Sequence, residues 1–480
     1  MKYFILGNSS LINEAQATFG NAEIAICSDY ETPHCPSKLL ISYDQAVRND
    51  LNIALDPLIP LDSILIKSMR ESEAIFLKMT DRLMPHSGYQ ERKDLYLQYL
   101  KTWNNLINTE LHFAIFHNVP HECFDYIIYK LCKFKKIKTF CFYTLPIRPN
   151  KEEVYMHMMT DIENPDLEIA KTYHASQFSD DLKPINHSKA LNPHTMMEYY
   201  DECFLPISNY SQFTRSEGRD LSPLESILDL RKKIFRYLGQ NGYKKILSRI
   251  KTYLKNNFFY DSYFISHYQY HKVYKRNTIT PNYKNKYIYF PLHYQPEAST
   301  SPLAGPFVDQ WLIIDMLSNA VDSDTTIYVK DHPRLGNILK TKNFVNHILS
   351  RKNVALIAYQ ESSLSLIRNS FAVATATGTV GLEAILNLKP VLMFGNRLYQ
   401  HGPGVHLIET NSDLQLAVNQ INTNLSSMKE VELFFEALDL NVFPGFLSQK
   451  DENLSSLNQN TVAKNCIEKV NEKLSKSRDG

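Results

Sequence analysis

The chain has few glycines and cysteines and almost no net charge. Its 480 residues include 15 Gly and 7 Cys, and 52 Lys and Arg balance 51 Asp and Glu to a formal net charge of +1. A neutral chain argues against a dedicated nucleic-acid-binding protein. The cysteines form no CxxC pair and are odd in number, so the sequence predicts reduced thiols, with neither a zinc site nor a disulfide framework.

Two phosphate-binding motifs and all long apolar segments are also missing. No GxGxxG follows the first apolar run, which argues against a dinucleotide, and no Walker A lysine pattern occurs, which argues against a P-loop kinase. The apolar residues 1–6 are too few for a signal peptide, and no run is long enough to span a membrane. We therefore expect a cytoplasmic protein.

The length and the alternation of strand and helix patterns predict two domains. A chain of 480 residues exceeds one ordinary hydrophobic core. We expect an α/β fold with two Rossmann-like, doubly wound parallel sheets facing a central cleft. The expected N-terminal domain is 1–274 with a helical insertion from about 150 to 274. The expected linker is 275–286, the second domain 287–425, and C-terminal helices that could pack back on the first domain 426–480.

The most informative stretch is TATGTVGLEAILNLKP, residues 375–390. It follows an apolar run and predicts a strand, a turn of small residues and a helix. Such a turn can hold a phosphate through backbone N–H groups and the hydroxyls of Thr377 and Thr379, with Gly378 between them. Glu383 could then accept hydrogen bonds from a sugar. The alternative is an ordinary crossover whose glycines only permit close packing.

Two earlier loops in the same half also follow predicted strands. Lys330, His332 and Arg334 come after one strand and could neutralise or protonate a departing phosphate. Gln295 and Glu297 come after another. Because parallel strands end at one sheet edge, we expect these loops and the 375–390 turn to close on a single nucleotide. The DxD sequence at 322–324 precedes a strand, so we interpret it as a turn and not as a metal site.

Two loops of the N-terminal half are candidates for the acceptor side. Asn8 and Ser9 follow the first predicted strand; the alternative is a plain turn with Ser9 or Ser10 as helix N-cap. His117, His121 and Glu122 lie between a later strand and its helix. A histidine beside a carboxylate could act as a general base there. In the alternative, Glu122 and Asp125 only complement the helix dipole and His121 is exposed.

A stretch dense in basic and aromatic residues covers 225–274. It could contact an anionic glycolipid, membrane head groups or RNA, and the alternative is a solvated helix face. Near-zero net charge favours the solvated face, while a role at the membrane surface stays open.

Three segments carry a resemblance to a known family: YIYFPLHYQPEAST (287–300), TTIYVKDHPR (325–334) and TATGTVGLEAILNLKPVLMFG (375–395). They resemble the nucleotide-binding domain of GT-B glycosyltransferases, and among them the bacterial capsule and surface-polysaccharide biosynthesis proteins that include Kdo transferases and relate in fold to bacterial sialyltransferases. Residues 116–142 resemble the acceptor-side unit of related capsule proteins.

The resemblance implies transfer of a sugar from a nucleotide donor, such as a CMP-activated ulosonic acid like Kdo, to a surface glycan or glycolipid. It implies that His332 contacts or protonates the donor phosphate, Pro333 sets the loop, the 377–379 turn holds the phosphate and Glu383 points to the ribose. Gln295 and Glu297 would lie near the donor sugar. Many retaining GT-B enzymes have a second Glu eight residues after the first. Here that position is Val391, which leaves the stereochemical outcome open.

Three functions remain open. The first is a metal-independent glycosyltransferase without a further cofactor, in the cytoplasm or at the inner membrane surface. The second is a nucleotide-sugar 2-epimerase or hydrolase of the same fold. The third is a non-catalytic polysaccharide-assembly protein. The sequence gives no oligomeric state.

Overall fold

The structure is a computed structural model. It describes residues 1–28, 37–51, 59–84, 87–145, 153–178, 191–194, 196–197, 269–293, 300–332, 340–421, 423, 425–447, 455 and 457–476. Gln295, Glu297, Pro333, Arg334 and most of the basic 225–274 stretch lie outside these residues, so the expectations for them stay predictions.

The strands of the described residues are β1 Tyr3–Gly7, β2 Ile24–Cys27, β3 Leu39–Ser42, β4 Phe113–Phe116, β5 Lys138–Thr144, β6 Tyr155–Met159, β7 Thr278–Ile279, β8 Tyr287–Pro291, β9 Thr326–Lys330, β10 Val354–Ile357, β11 Ala372–Thr375, β12 Val391–Met393, β13 Val405–Leu407 and β14 Val442–Pro444. The helices are α1 Ser9–Phe19, α2 Tyr43–Arg48, α3 Ser63–Ser68, α4 Arg70–Leu83, α5 Tyr89–Leu106, α6 Phe124–Phe134, α7 Leu167–Phe178, α8 Trp311–Ala320, α9 Lys342–Leu349, α10 Ser363–Asn369, α11 Val380–Leu386, α12 Asn411–Gln420, α13 Met428–Leu440 and α14 Gln459–Lys476.

The chain groups into two compact units. The first contains the described residues within 1–201, 297–309 and 372–480, and the second those within 202–296 and 310–371.

The first unit contains a sheet of order β14-β6-β5-β4-β1-β2-β3. Its strands are parallel except β6, which runs antiparallel to both β5 and β14. Side chains of β1 alternate between two cores: Phe4 and Leu6 pack with α3 to α6, while Tyr3 and Ile5 pack with α1 and α14. Because helices cover both faces, β1 is apolar throughout.

The C-terminal segment packs on this sheet. Helix α14 lies against α1, where Ser10 Oγ donates to Asn460 Oδ1 at 2.8 Å, and its buried face joins the core around Tyr3. Strand β14 continues the sheet by pairing with β6.

The first unit also contains the parallel strands β13-β12-β11. Val373 of β11 lies opposite Val391 of β12, and α11 connects the two strands. This is the strand, turn and helix predicted for 375–390.

In the second unit the strands pair in the order β8-β9-β10-β7, all parallel. Strand β7 lies within the segment 275–286 and pairs with the end of β10. Helix α8 of this unit begins at Trp311.

The predicted fold class is confirmed: both units are α/β structures built on parallel strands. The 322–324 segment is a turn, closed by Thr325 N–H donating to Asp322 O at 3.0 Å. The described cysteines are buried, and none of them forms a disulfide bond with another described cysteine. Among the described helices, none combines the length and apolarity needed to cross a bilayer.

Candidate functional site

The turn between β11 and α11 is held by its own side chains. Thr375 Oγ1 accepts a hydrogen bond from Gly378 N at 2.9 Å, and Thr379 Oγ1 donates to Glu383 Oε1 at 3.2 Å. Gly378, Thr379 and Glu383 are partly exposed. Thr379 therefore orients the carboxylate of the partly exposed Glu383, which can accept hydrogen bonds from ligand hydroxyls.

The loop after β12 fixes the turn from behind. The Tyr399 hydroxyl donates to Gly378 O, and an added Cβ at Gly381 would lie 2.6 Å from the Tyr399 ring. An added Cβ at Gly395 would lie 2.7 Å from Thr377 Cγ2. Burial raises the pKa of Tyr399, which keeps its hydroxyl protonated as a donor. The two glycines thus allow the turn and this loop to approach closely.

Thr377 has a different position from the one its sequence suggests. Its side chain is fully buried, whereas its neighbours Gly378 and Thr379 are partly exposed. The Thr377 side chain, which the sequence assigns to phosphate binding, is thus buried, and its Cγ2 methyl packs toward Gly395.

Lys330 is also buried, at 2% exposure. Its Nζ donates to Glu361 O at 2.7 Å and to Ser363 Oγ at 2.8 Å. These bonds hold the start of α10 to the end of β9, so the ammonium group stabilises the second unit internally.

Asp331, which the sequence interpretation did not select, organises the start of the next loop. It accepts hydrogen bonds from the Tyr270 hydroxyl, from Lys340 Nζ and, at 2.8 Å, from the backbone N–H of His332. Burial lowers the pKa of Lys340, and the neighbouring Asp331 carboxylate offsets only part of this shift. The network fixes the backbone that leads into His332, whose side chain is partly exposed.

The loop before α6 brings His121 and Glu122 together as predicted. His121 Nδ1 lies 2.5 Å from Val119 O, so this nitrogen donates and Nε2 is the one that can exchange a proton. Glu122 Oε1 is 3.2 Å from Nε2. Only 16% of the His121 side chain is exposed, so the alternative interpretation, in which His121 is exposed, is wrong on this point.

Asp125 shapes this loop from the first turn of α6. Its buried carboxylate accepts hydrogen bonds from the N–H groups of His121, at 3.1 Å, and Glu122, at 2.7 Å. Burial raises the pKa of Asp125 to about 6. Helix α6 begins at Phe124, directly after this loop.

Cys123 adds backbone strain at the same place. It has φ of 66°, and Phe124 N–H donates to Glu122 O at 2.8 Å, which closes a tight turn around Cys123. A left-handed φ is unfavourable for a residue with a Cβ and is found preferentially at functional sites. The strain supports the choice of this loop as a candidate site.

The first loop of the chain has a structural role. Asn8 Oδ1 accepts a hydrogen bond from Leu11 N at 2.9 Å and caps α1, so the expectation that Ser9 or Ser10 is the N-cap is wrong. Ser9 is the first residue of α1. His117 continues the sheet beyond β4, with its N–H donating to Leu6 O at 2.9 Å.

Two polar contacts were missed by the sequence interpretation. The Arg397 guanidinium lies over the Tyr143 ring, with Cζ 4.8 Å from the centroid, and His401 Nδ1 lies 2.9 Å from Asp166 Oδ2. The hydrogen bond to Asp166 raises the pKa of His401. The segment NRLYQHG after β12 is a polar loop at the end of a strand, which is the signal that could have identified Arg397 and His401.

The site's motifs can be compared with known proteins. Residues 308–438 match the family model described as "Capsule polysaccharide biosynthesis protein". No curated protein sequence matches the chain.

Similar solved structures include KpsC of Thermosulfurimonas dismutans, a beta Kdo 2,7 transferase, at 14% identity, covering 81% of this chain and 95% of that one with a TM-score of 0.31. They also include the UDP-GlcNAc 2-epimerase of Methanocaldococcus jannaschii, at 12% identity, covering 92% and 100% with a TM-score of 0.25. Likenesses of this strength do not bear on the activity of this chain. Over residues 308–438 the chain is thus similar to the capsule polysaccharide biosynthesis proteins, as its motifs predict.

Proposed function

We propose that the protein is a glycosyltransferase that moves a sugar from a nucleotide donor to a bacterial surface polysaccharide or glycolipid. The observation that carries the proposal is the turn before α11, where Glu383 is oriented by Thr379 inside the segment that matches capsule biosynthesis proteins. A turn of small residues beside a partly exposed carboxylate suits a phosphate next to a ribose.

The proposed chemistry assigns one role to each loop. The backbone N–H of Thr379 binds the donor phosphate beside Gly378, whose own N–H donates to Thr375 Oγ1, and Glu383 accepts hydrogen bonds from the ribose hydroxyls. His332 donates a hydrogen bond or a proton to the phosphate oxygen as the bond from the sugar carbon to that oxygen breaks. Lys330 supports the base of the loop from its buried position.

On the acceptor side, His121 is the proposed base. Its Nε2 takes the proton of the attacking hydroxyl while its Nδ1–H stays bonded to Val119 O, and Glu122 stabilises the imidazolium that forms. The new glycosidic bond forms as the electron pair of the broken bond leaves on the phosphate.

The finer assignments extend the proposal. The sequence resemblance supports a CMP-linked ulosonic acid such as Kdo as the donor, transfer without a metal ion or further cofactor, and a place in the cytoplasm or at the inner membrane surface. Activity that persists in EDTA would support metal independence.

The test is acceptor-dependent release of nucleotide by the purified protein, with CMP-Kdo as donor and capsule glycan fragments as acceptors. We expect release that needs the acceptor and falls by at least about 10-fold in Glu383→Gln and in His332→Ala. Free or epimerised sugar formed without acceptor would favour a hydrolase or epimerase. Full cellular glycan production in both variants would favour a binding protein.

A further inference from the structure

Arg397 is held in a fixed loop after β12. Asn396 N–H donates to Leu303 O at 2.9 Å, and Arg397 N–H donates to Oε1 of Gln400 at 3.1 Å. Gln400 is itself buried, and its N–H donates back to Arg397 O at 3.0 Å. The backbone therefore presents the Arg397 side chain in one direction.

The guanidinium is nearly buried and lacks an anionic partner. Arg397 is 6% exposed, its Cζ lies 4.8 Å from the centre of the Tyr143 ring, and its Nε is buried without a hydrogen-bond partner. Across the described part of the chain, no Asp or Glu carboxylate pairs with Arg397. A permanently charged group in such surroundings is unfavourable unless something neutralises it. The contact with the Tyr143 ring accounts for the position of the Arg397 guanidinium but gives its Nε–H no acceptor.

The surroundings of Arg397 belong to the proposed site. The same loop contains Tyr399, whose hydroxyl bonds to Gly378 O of the phosphate turn. Both Arg397 and Glu383 act electrostatically on that hydroxyl. Tyr143 lies near the carboxyl end of β5 in one sheet, and the Arg397 loop follows β12 in the other strand group, so the guanidinium lies near the carboxyl ends of both strands. Open α/β sheets bind their ligands at such ends.

We propose that Arg397 binds an oxyanion of the substrate, a carboxylate or a phosphate, through its Nε and one Nη atom. This inference rests on the proposed function only for the identity of the substrate; the anion site itself follows from the unsatisfied Nε. A guanidinium binds such groups with two parallel hydrogen bonds, and a lysine ammonium cannot reproduce that geometry. The cation–π contact with Tyr143 fixes the position of the guanidinium.

The test is calorimetric titration of the full chain with CMP, inorganic phosphate and free Kdo. CMP carries phosphate without a sugar carboxylate, and free Kdo carries a carboxylate without phosphate. Variants are Arg397→Gln, Arg397→Lys and, as matched control, Arg48→Gln, which removes an exposed arginine paired with Asp44 on α2. Binding of CMP or Kdo should weaken by about 10- to 100-fold in Arg397→Gln, the factor expected for one charged hydrogen-bonded pair. We expect Arg397→Lys to weaken binding by at least about 10-fold and Arg48→Gln to leave it unchanged.

The ligand affected identifies the source of the anion. Loss of Kdo binding alone assigns Arg397 to a carboxylate, and loss of CMP and phosphate binding assigns it to a phosphate. Arg397→Lys keeps the charge and serves as the test if Arg397→Gln does not fold. The inference would be overturned if Arg397→Lys bound each of the three ligands as tightly as the wild-type protein does. A wild-type protein that binds none of them would also overturn it. Arg397-dependent anion binding without any sugar transfer would count against the proposed function alone.

Discussion

Gly381→Ala tests how the turn between β11 and α11 is held. The new Cβ would lie 2.6 Å from Cε2 and Oη of Tyr399, closer than such carbon contacts occur. The ring cannot simply swing away, because Tyr399 is fully buried and its hydroxyl is bonded to Gly378 O. The substitution therefore separates the loop after β12 from the turn before α11.

The size of the effect follows from three contributions. Overpacking a close contact costs about 1–3 kcal/mol. Losing the bond from Tyr399 to Gly378 O costs about 0.5–1.5 kcal/mol. Alanine in place of glycine within α11 returns roughly 1 kcal/mol. We expect a net local destabilisation of about 0.5–3.5 kcal/mol.

Hydrogen exchange across residues 372–386 is the suitable assay, because a chain with two units need not unfold in one step. Tyr399→Phe is the control: it removes the hydrogen bond but keeps the ring, and should cost only about 0.5–1.5 kcal/mol. Exchange in Gly381→Ala that is as slow as in the wild-type protein would refute the proposed packing.

Three further substitutions test single groups. As the pH rises from about 4 to about 6, the unfolding free energy of Asp125→Asn should increase by about 3 kcal/mol relative to that of the wild-type protein. Urea unfolding at several pH values measures this change. The raised pKa of Asp125 keeps it protonated in the fold while the unfolded chain ionises, so wild-type stability falls with rising pH. His401→Gln should destabilise most below pH 6.5 and least at alkaline pH, because Asp166 raises the pKa of His401, and a thermal melt series checks this. Lys330→Met should lower the unfolding free energy in urea by about 1–3 kcal/mol, because Glu361 O loses its donor. The affinity for CMP should stay unchanged. A tenfold loss of that affinity would show instead that Lys330 binds phosphate.

The sequence predicts well what depends on neighbouring residues. The strand, turn and helix around 375–390 follow from β-formers, small residues and helical spacing, and β11, α11 and β12 appear where this pattern places them. His121 and Glu122 lie together because they are adjacent in one loop.

The sequence does not predict contacts between distant segments. Arg397 lies on Tyr143, and Asp166 lies beside His401, through pairings of residues hundreds of positions apart along the chain. Burial is equally hidden: Lys330 follows a strand as a phosphate-binding lysine would, yet its ammonium turns to Glu361 O and Ser363.

The central claim is that the turn ending in Glu383 binds the phosphate and ribose of a nucleotide. Calorimetric titration of CMP into wild-type protein and into Glu383→Gln tests it most directly. The account predicts saturable binding to the wild type and an affinity at least about 10-fold lower in the variant. Equal affinities in the two proteins would contradict it, whereas a wild type that binds UDP or GDP but not CMP would contradict only the assignment of a CMP-linked donor.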